Sequence, residues 1–455
     1  MIMRSPEPPI ILLGVDGLEW DVLLPMIKRG RLPNITRLME RGYYGELDTL
    51  HPTLSPVIWT SVATGKVQKK HGIRGFSRRL PGGKITLFNN SNRKVKAIWN
   101  ILSDYGKKVY TIGWWMTYPA EEINGIMIAQ TNTTEQLNTR TGKHVWKGTL
   151  LNGVKGQVYP PGRQNEVLTI AKEVESELPN LTNQIFGEFE YPLSLLDRRL
   201  WNNCLWSFRA DTIYHRISLG LAQEGPPPDL MMIYFGGTDV VSHRFWRYMQ
   251  PDIYRHKPTQ EQIANLGTVI EDYYAYIDMI LGQLVKHYAS DVTIIIISDH
   301  GFYPFNLNGR FDPDNPSKFS SGSHSDAPPG ILIAAGSHIL KSHKNQTIQS
   351  LNREDLERAG NVLDITPTIL TMMHIPIGKD MDGTVMRNMF GDDFFIESQP
   401  AAIATHDTAE YLANQFEKAL SPPGEKERLE QLRSLGYIDD AKKKNIAKSK
   451  KGKNN

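Results

Sequence analysis

The sequence predicts an α/β fold, a mostly parallel sheet with helices on both faces, on two observations. Three segments share one pattern: PIILLGVDG (9–17), PDLMMIYFGGTD (228–239) and VTIIIISDHG (292–301) each run apolar and close on an aspartate near a glycine. Runs this apolar read as strands covered on both faces. Between them lie stretches with apolar residues at three-to-four spacing, which read as helices. Strands alternating with helices imply a parallel sheet with right-handed crossovers. In open sheets of this kind ligands bind at the carboxyl ends of strands, and Asp16, Asp239 and Asp299 all fall there.

The elements follow in order. The first strand leads into DVLLPMIKRGRLPNITRLMERG (21–42), a helical pattern, and then HPTLSPVIWTSVATG (51–65), a second helix-like run. KVYTIGW (108–114) is a strand candidate. The stretch 135–200 breaks the pattern: its first half is rich in Gly, Asn and Thr and reads as an inserted cap. QEQIANLGTVIEDYYAYIDMILGQLVKHY (260–288) reads as one long amphipathic helix feeding the third strand. GILIAAG (330–336) is a further strand, and LDITPTILTMMHIPIGKDMDG (363–383) completes the core. The expected organisation is one α/β body over 9–395, a helical extension over 396–440 and a solvated lysine-rich tail over 441–455.

Composition narrows the class. The 455 residues are 40% apolar and 22% charged, enough for a large core with insertions. Net charge is +3, but the last fifteen residues hold seven lysines and no acid, which leaves −4 on the rest. Such a run is a solvated tail by default, so no nucleic-acid partner is expected. Cys204 is the single cysteine, which excludes an intrachain disulfide and fits a reducing cytoplasm. No apolar stretch approaches the ~18 residues of a membrane span. The N-terminal apolar run, interrupted by Pro6, Pro8 and Pro9, serves better as a strand than as a leader. The expectation is a soluble cytoplasmic protein.

Candidate ligands collect at the strand ends. Asp239 and His243 in TDVVSHRFW are four apart and share a helix face. Asp299 and His300 close the third strand, Asp16 the first, and His324 lies in the loop SSGSHSDAPPG. One such residue alone is ordinarily a solvated carboxylate or a satisfied imidazole. Three Asp and three His at one sheet edge form a donor set suited to zinc or manganese rather than calcium. Thr53 and Ser55 supply hydroxyls just before a helix. Ser55 followed by Pro56 reads as an N-cap; a serine there also sits where amides and the helix dipole favour a phosphate.

The motifs GVDGLEWD, PTLSPVIWTSVATGKVQKKHGI, FGGTDVVSHRF, ISDHGF, GSHSDAPPG and LDITPTIL…GKDMDG occur in order over about residues 9–386. With them the chain resembles the alkaline phosphatase superfamily in its type I phosphodiesterase/nucleotide pyrophosphatase branch. The resemblance implies an alkaline-phosphatase-like fold and two divalent metal ions. Asp239, His243 and His324 would hold one, and Asp16, Asp299, His300 and a nucleophile oxygen the other. Counting ten residues back from Gly65 makes the nucleophile Ser55, not Thr53. The implied activity is hydrolysis of a small-molecule phosphodiester or nucleotide pyrophosphate through a covalent enzyme intermediate. The alternatives are a same-fold phosphomonoesterase, phosphonate hydrolase or phosphotransferase, and, in a different class, a non-catalytic metal-binding protein.

The chain departs from that pattern in places. Where nucleotide pyrophosphatases carry a phosphate-binding Asn, five residues after the HG histidine, this chain has Phe76, flanked by Arg74, Arg78 and Arg79. Those arginines either bind phosphate oxygens or are solvated. Trp20, Trp59 and Trp115 either stack on a base or sugar or pack in the core. A sulfatase is disfavoured, because SPVIW lacks the Arg of that motif.

Overall fold

β-Branched and aliphatic runs buried on both faces set the centre of the molecule. The computed structural model describes residues 7–79, 85–130, 156–288, 292–310, 320–342, 346–397 and 401–411. Among these residues nine strands form one sheet: β1 (Ile10–Val15), β2 (Tyr43–Asp48), β3 (Val109–Ile112), β4 (Gly125–Ile128), β5 (Val158–Tyr159), β6 (Leu230–Phe235), β7 (Thr293–Ile297), β8 (Gly330–Ala335) and β9 (Arg358–Asn361). Their spatial order is β9-β2-β8-β7-β1-β6-β3-β4-β5. β1 pairs in parallel with β6 on one side and β7 on the other. The three strands marked by closing aspartates are therefore neighbours at the sheet centre. β8 runs antiparallel to β2 and β7, and β5 antiparallel to β4, so the sheet is mostly parallel.

Helices cover both faces: α1 (Trp20–Lys28), α2 (Pro33–Arg41), α3 (Ser55–Thr64), α4 (Ile98–Asp104), α5 (Gln164–Phe186), α6 (Leu205–Gln223), α7 (Gly237–Met249), α8 (Val269–Tyr288) and α9 (Ile365–Met372). Ile11, Leu13 and Val15 of β1 join Ile233, Phe235, Ile294 and Ile296 in one core, filled from α1, α2 and α5 to α8. Ile10 and Leu12 join Met232, Tyr234, Ile295 and Ile297 in a second, filled from α3, α4 and α9. The period-two alternation of a strand thus deals its side chains to two cores. Each such buried aliphatic side chain contributes roughly 1.5–3 kcal/mol, which makes the strand ends a stiff mount.

Several expectations change in detail. The pattern over 21–42 is two helices, separated where Gly30 turns at φ 70° and Pro33 starts α2. The stretch 260–288 is also two, Gln260–Leu266 and α8, broken at the poor helix former Gly267. Of the stretch 135–200, residues 135–155 lie outside the described residues. The remainder supplies edge strand β5 and α5, whose Val167, Leu168, Ala171 and Val174 pack into the first core. Residues 401–411 return to the body: Ala402 and Ile403 pair with Ile377 and Gly378, and the Arg93 guanidinium donates to the Tyr411 hydroxyl at 2.7 Å. Residues 398–400 and 412–440 of the helical extension expected over 396–440, and the lysine tail, lie outside the described residues. Among the described residues no helix is long and apolar enough to cross a membrane.

Candidate metal centre

The central strands end in register. Val15 pairs with Phe235 and Gly14 with Ile297, so Asp16 and Asp299 emerge side by side at the carboxyl edge of β1 and β7. β6 is followed by α7, which carries Asp239 in its first turn and His243 one turn later. His324 follows a two-residue antiparallel pairing, Tyr303 with Ser323 and Pro304 with Gly322. Four chain segments thus reach one place.

There the structure forms two groups. Ligand-type atoms of Asp239, His243 and His324 lie within 4.8 Å of one another, as do those of Asp16, Asp299 and His300. In the first, His243 Nε2 and His324 Nε2 lie 3.4 and 3.5 Å from Asp239 Oδ1. In the second, His300 Nε2 lies 3.4 Å from both Asp16 Oδ1 and Asp299 Oδ2. The groups abut, since the His300 and His324 rings stack with centroids 4.0 Å apart. The other nitrogen of each ring is tethered: His300 Nδ1 faces Gly301 O and His243 Nδ1 faces Gly322 O, both at 3.0 Å, while His324 Nδ1 faces Thr53 Oγ1 at 3.3 Å. A carbonyl only accepts, so Nδ1 of His300 and His243 is the protonated nitrogen and Nε2 presents its lone pair to the carboxylates.

Burial dominates the electrostatics. It pushes the Asp16 carboxyl up to about 7, helped by the charge of Asp239 and opposed by hydrogen bonds from Tyr234 and Trp59. Burial, then Asp16 and Asp239, push Asp299 well above the carboxylate range. Burial also raises Asp239, but the imidazoles, His243 foremost, more than offset it and hold that carboxyl below its ordinary range. The His300 imidazole is lowered to about 4 by burial, and His324 well below its ordinary value by burial and then by His300. Three carboxyls crowded in a dry place repel one another unless positive charge joins them. Asp16 Oδ1, Asp299 Oδ2 and His300 Nε2 are buried and have no hydrogen-bond partner among the described residues. Their chemistry and convergence fit a divalent cation.

The α3 segment crosses both groups. Thr53 donates its hydroxyl hydrogen to the His324 carbonyl, and the Trp59 indole donates to Asp16 Oδ2 at 3.0 Å. Ser55 lies between them in the chain and one helical turn from Trp59, hence on its face. The N-cap is Leu54, and Ser55 is the first helical residue, with no side-chain cap bond. That corrects the N-cap expectation: the proline occupies the second helical position, so Ser55 already has helical backbone angles and its hydroxyl is not used as a cap.

Three residues were not singled out from sequence for what they do here. Tyr234 donates to Asp16 Oδ2 at 2.6 Å, Trp59 joins it, and the Thr238 hydroxyl donates to the Asp16 carbonyl. A lone hydroxyl inside the apolar run LMMIYF is the signal that marks Tyr234. Trp20 and Trp59 are fully buried, which leaves packing and rules out stacking on a ligand. Half-buried Trp115 packs edge-on against Phe76 and Tyr234, with centroids 5.7 and 6.1 Å away. Arg74 and Arg78 are exposed, and the Arg79 side chain lies outside the described residues.

Comparisons with known proteins extend the picture. The profile of the type I phosphodiesterase/nucleotide pyrophosphatase family matches residues 10–361. Among solved structures, the chain is similar to phosphonoacetate hydrolase from Sinorhizobium meliloti 1021, with 17% identity, 66% of this chain and 57% of that chain covered, and a TM-score of 0.38. It therefore spans little more than half of that protein's length. It is similar to the wild-type alkaline phosphatase PafA at 13% identity, 85% and 100% coverage and a TM-score of 0.49. For human ectonucleotide pyrophosphatase/phosphodiesterase 5 the values are 12%, 84%, 100% and 0.45. A comparison with curated proteins finds no match. The family profile covers every residue of both donor groups, and the chain belongs to the type I phosphodiesterase/nucleotide pyrophosphatase family.

Proposed function

We propose that this chain is a two-metal phosphoester hydrolase that cleaves phosphodiester or nucleotide pyrophosphate bonds through a covalent Ser55 intermediate. The observation that carries the reading is the pair of abutting donor groups with orphaned buried atoms, bridged by the segment that bears Ser55. Asp239, His243 and His324 would hold one ion, and Asp16, Asp299, His300 and the Ser55 oxygen the other. The donor types favour zinc, with manganese second. When bound, such ions supply positive charge beside the attacking and leaving oxygens.

The rest falls to the chain itself. The first turn of α3 points its dipole and amides at the substrate phosphoryl group. Ser55 Oγ attacks phosphorus and loses its proton as the bond to the leaving oxygen breaks and that oxygen takes a proton up. Water then cleaves the Ser55–phosphorus ester and restores the hydroxyl. Tyr234 and Trp59 keep Asp16 Oδ2 occupied, so that Oδ1 alone faces its group.

Phe76, Trp115 and Tyr234 pack in a row from the turn after His71 to Asp16, and of the three only Trp115 is partly exposed. A diester needs room beside phosphorus for a second organic group, and the exposed part of Trp115 is an apolar surface that would suit one. Exposed Arg74 and Arg78 favour the second reading, a monoesterase whose dianionic substrate asks for more positive charge. The test is kinetic. With zinc or manganese, kcat/KM for an aryl phosphodiester is expected to exceed that for the matching monoester. A monoester preference of about tenfold, ~1.4 kcal/mol, reverses the order of the two readings. Ser55→Ala is expected to lower kcat by several orders of magnitude with an unchanged melt. Turnover retained in that variant overturns the covalent mechanism.

A further inference from the structure

We infer that Thr53 is a positioning residue that locks His324 to the segment bearing Ser55, so that one hydroxyl sets both a metal ligand and the nucleophile. The inference rests on the two-metal reading above and concerns how this chain builds one of the two sites.

Thr53 is buried and its hydroxyl makes two contacts with His324. Oγ1 has a single hydrogen, which it donates to the His324 carbonyl at 2.5 Å, with the Ser325 carbonyl farther away at 3.5 Å. Its lone pairs therefore face His324 Nδ1 at 3.3 Å, and that nitrogen must be the one that carries hydrogen. Nε2 is left with its lone pair directed at Asp239 Oδ1, 3.5 Å away. A hydrogen bond to the far nitrogen of a ligating imidazole fixes both its tautomer and its ring orientation.

The other two rings rely on backbone carbonyls: His300 on Gly301, and His243 on Gly322 with the Ser320 hydroxyl farther off at 3.4 Å. His324 follows a two-residue β-pairing, a short anchor for a ligand. Thr53 supplies a side-chain constraint from 271 positions away in the chain. It also lies two residues before Ser55, on the segment that Trp59 pins to Asp16 on the far side. The spacing between the nucleophile and the first donor group is thus set through this hydroxyl.

The test compares Thr53→Val, which keeps the shape and deletes the hydroxyl, with Thr53→Ser, which keeps the hydroxyl. The full chain, freed of metal by dialysis against a chelator, is titrated with zinc in a calorimeter. The parent is expected to take up two equivalents. Thr53→Val should bind one of them about 10–100-fold more weakly and leave the other unchanged, while Thr53→Ser stays within about threefold of the parent. With cobalt(II) as the probe, the visible absorption of one site should change in Thr53→Val and be recovered in Thr53→Ser, which a general loss of stability would not produce. Should Thr53→Val fail to fold, Thr53→Ala is read in the same way. Two equivalents bound with parental affinity and spectrum in the hydroxyl-free variants overturn the Thr53 role alone. Zinc bound by neither parent nor variant overturns the two-metal reading and the Thr53 role with it.

Discussion

Asp16 illustrates how a single carboxylate is managed at the end of a dry strand. One oxygen takes hydrogen bonds from Tyr234 and Trp59, and the other faces His300 and Asp299. At Asp299 burial, then Asp16 and Asp239, act against ionisation, and the Gly17 amide only partly offsets them. Its neutral isostere should therefore have opposite effects on binding and on stability. Asp299→Asn keeps the acceptor for the Gly17 amide and removes the charge. The metal-free variant is expected to melt higher than the metal-free parent at neutral pH, while zinc retained after dialysis falls from two equivalents to one. His243→Ala should also lose one equivalent, but from the other group. If both variants lose the same site, as read by their cobalt(II) spectra, the division into two groups is wrong.

Among the elements, α7 and α3 carry the site and show what their flanks must tolerate. The start of α7 is held by Asp211, which accepts from the Gly236 and Gly237 amides at 3.1 and 2.9 Å and from the Tyr273 hydroxyl at 2.8 Å. A Cβ on Gly237 would fall 1.7 Å from the Tyr273 hydroxyl oxygen. Gly237→Ala is therefore expected to cost roughly 1–3 kcal/mol by overpacking and to reduce zinc affinity, because Asp239 follows two residues later; urea unfolding and zinc titration check both. The far side of α3 is tied by Ser61 to His71 Nε2 at 3.1 Å, while His71 Nδ1 accepts from the Ile73 amide. Burial lowers His71 from 6.5 to about 3. The folded pKa is depressed, so the unfolded chain binds the extra proton between those values. The contribution of His71 is then complete above its unfolded pKa and declines as pH falls toward its folded one. The parent should lose more stability than His71→Gln between about pH 6.5 and about pH 4.5, by roughly 2–3 kcal/mol at 1.4 kcal/mol per unit. Equal losses in urea titrations with chelator present would show that His71 is not buried neutral.

At the scale of the whole molecule, two cores press on one sheet, and the carboxyl edge of that sheet concentrates negative charge where water is excluded. The metal-free state bears that repulsion, and on the two-metal reading bound cations would relieve it. Metal binding to the native state alone adds RT ln(1 + [L]/Kd), about 2.7 kcal/mol at a hundredfold excess over Kd. A chelator is expected to lower the thermal midpoint, and added zinc to restore it, with a midpoint that depends on zinc concentration. A midpoint indifferent to both would show that the donor groups bind nothing strongly. The return of residues 401–411 adds a polar seam on the second core's side, where Lys66 is buried between Asp380 and Asp407 at 2.6 and 2.7 Å.

The double-sided burial of β1, β6 and β7 was legible in the sequence, because an apolar run with no polar face has no other stable home than a covered sheet. The placement of Asp16, Asp239 and Asp299 at carboxyl ends followed from the same runs, as did the shared face of Asp239 and His243. These are consequences of local periodicity. Helix breaks within 21–42 and 260–288 were less legible, since apolar spacing continues across them and the turns depend on single residues such as Gly30. The placement of β1 between β6 and β7, the reversal of β8 and the contact of the two donor groups required the folded chain. So did the partners of the candidate ligands: Trp59 and Tyr234 reach Asp16 across 43 and 218 positions, and Thr53 reaches His324 across 271. Periodicity reports which face of an element is buried, but not which distant element covers it. The choice of cover is made by packing, and packing decided which hydroxyls and which indole came to hold the site.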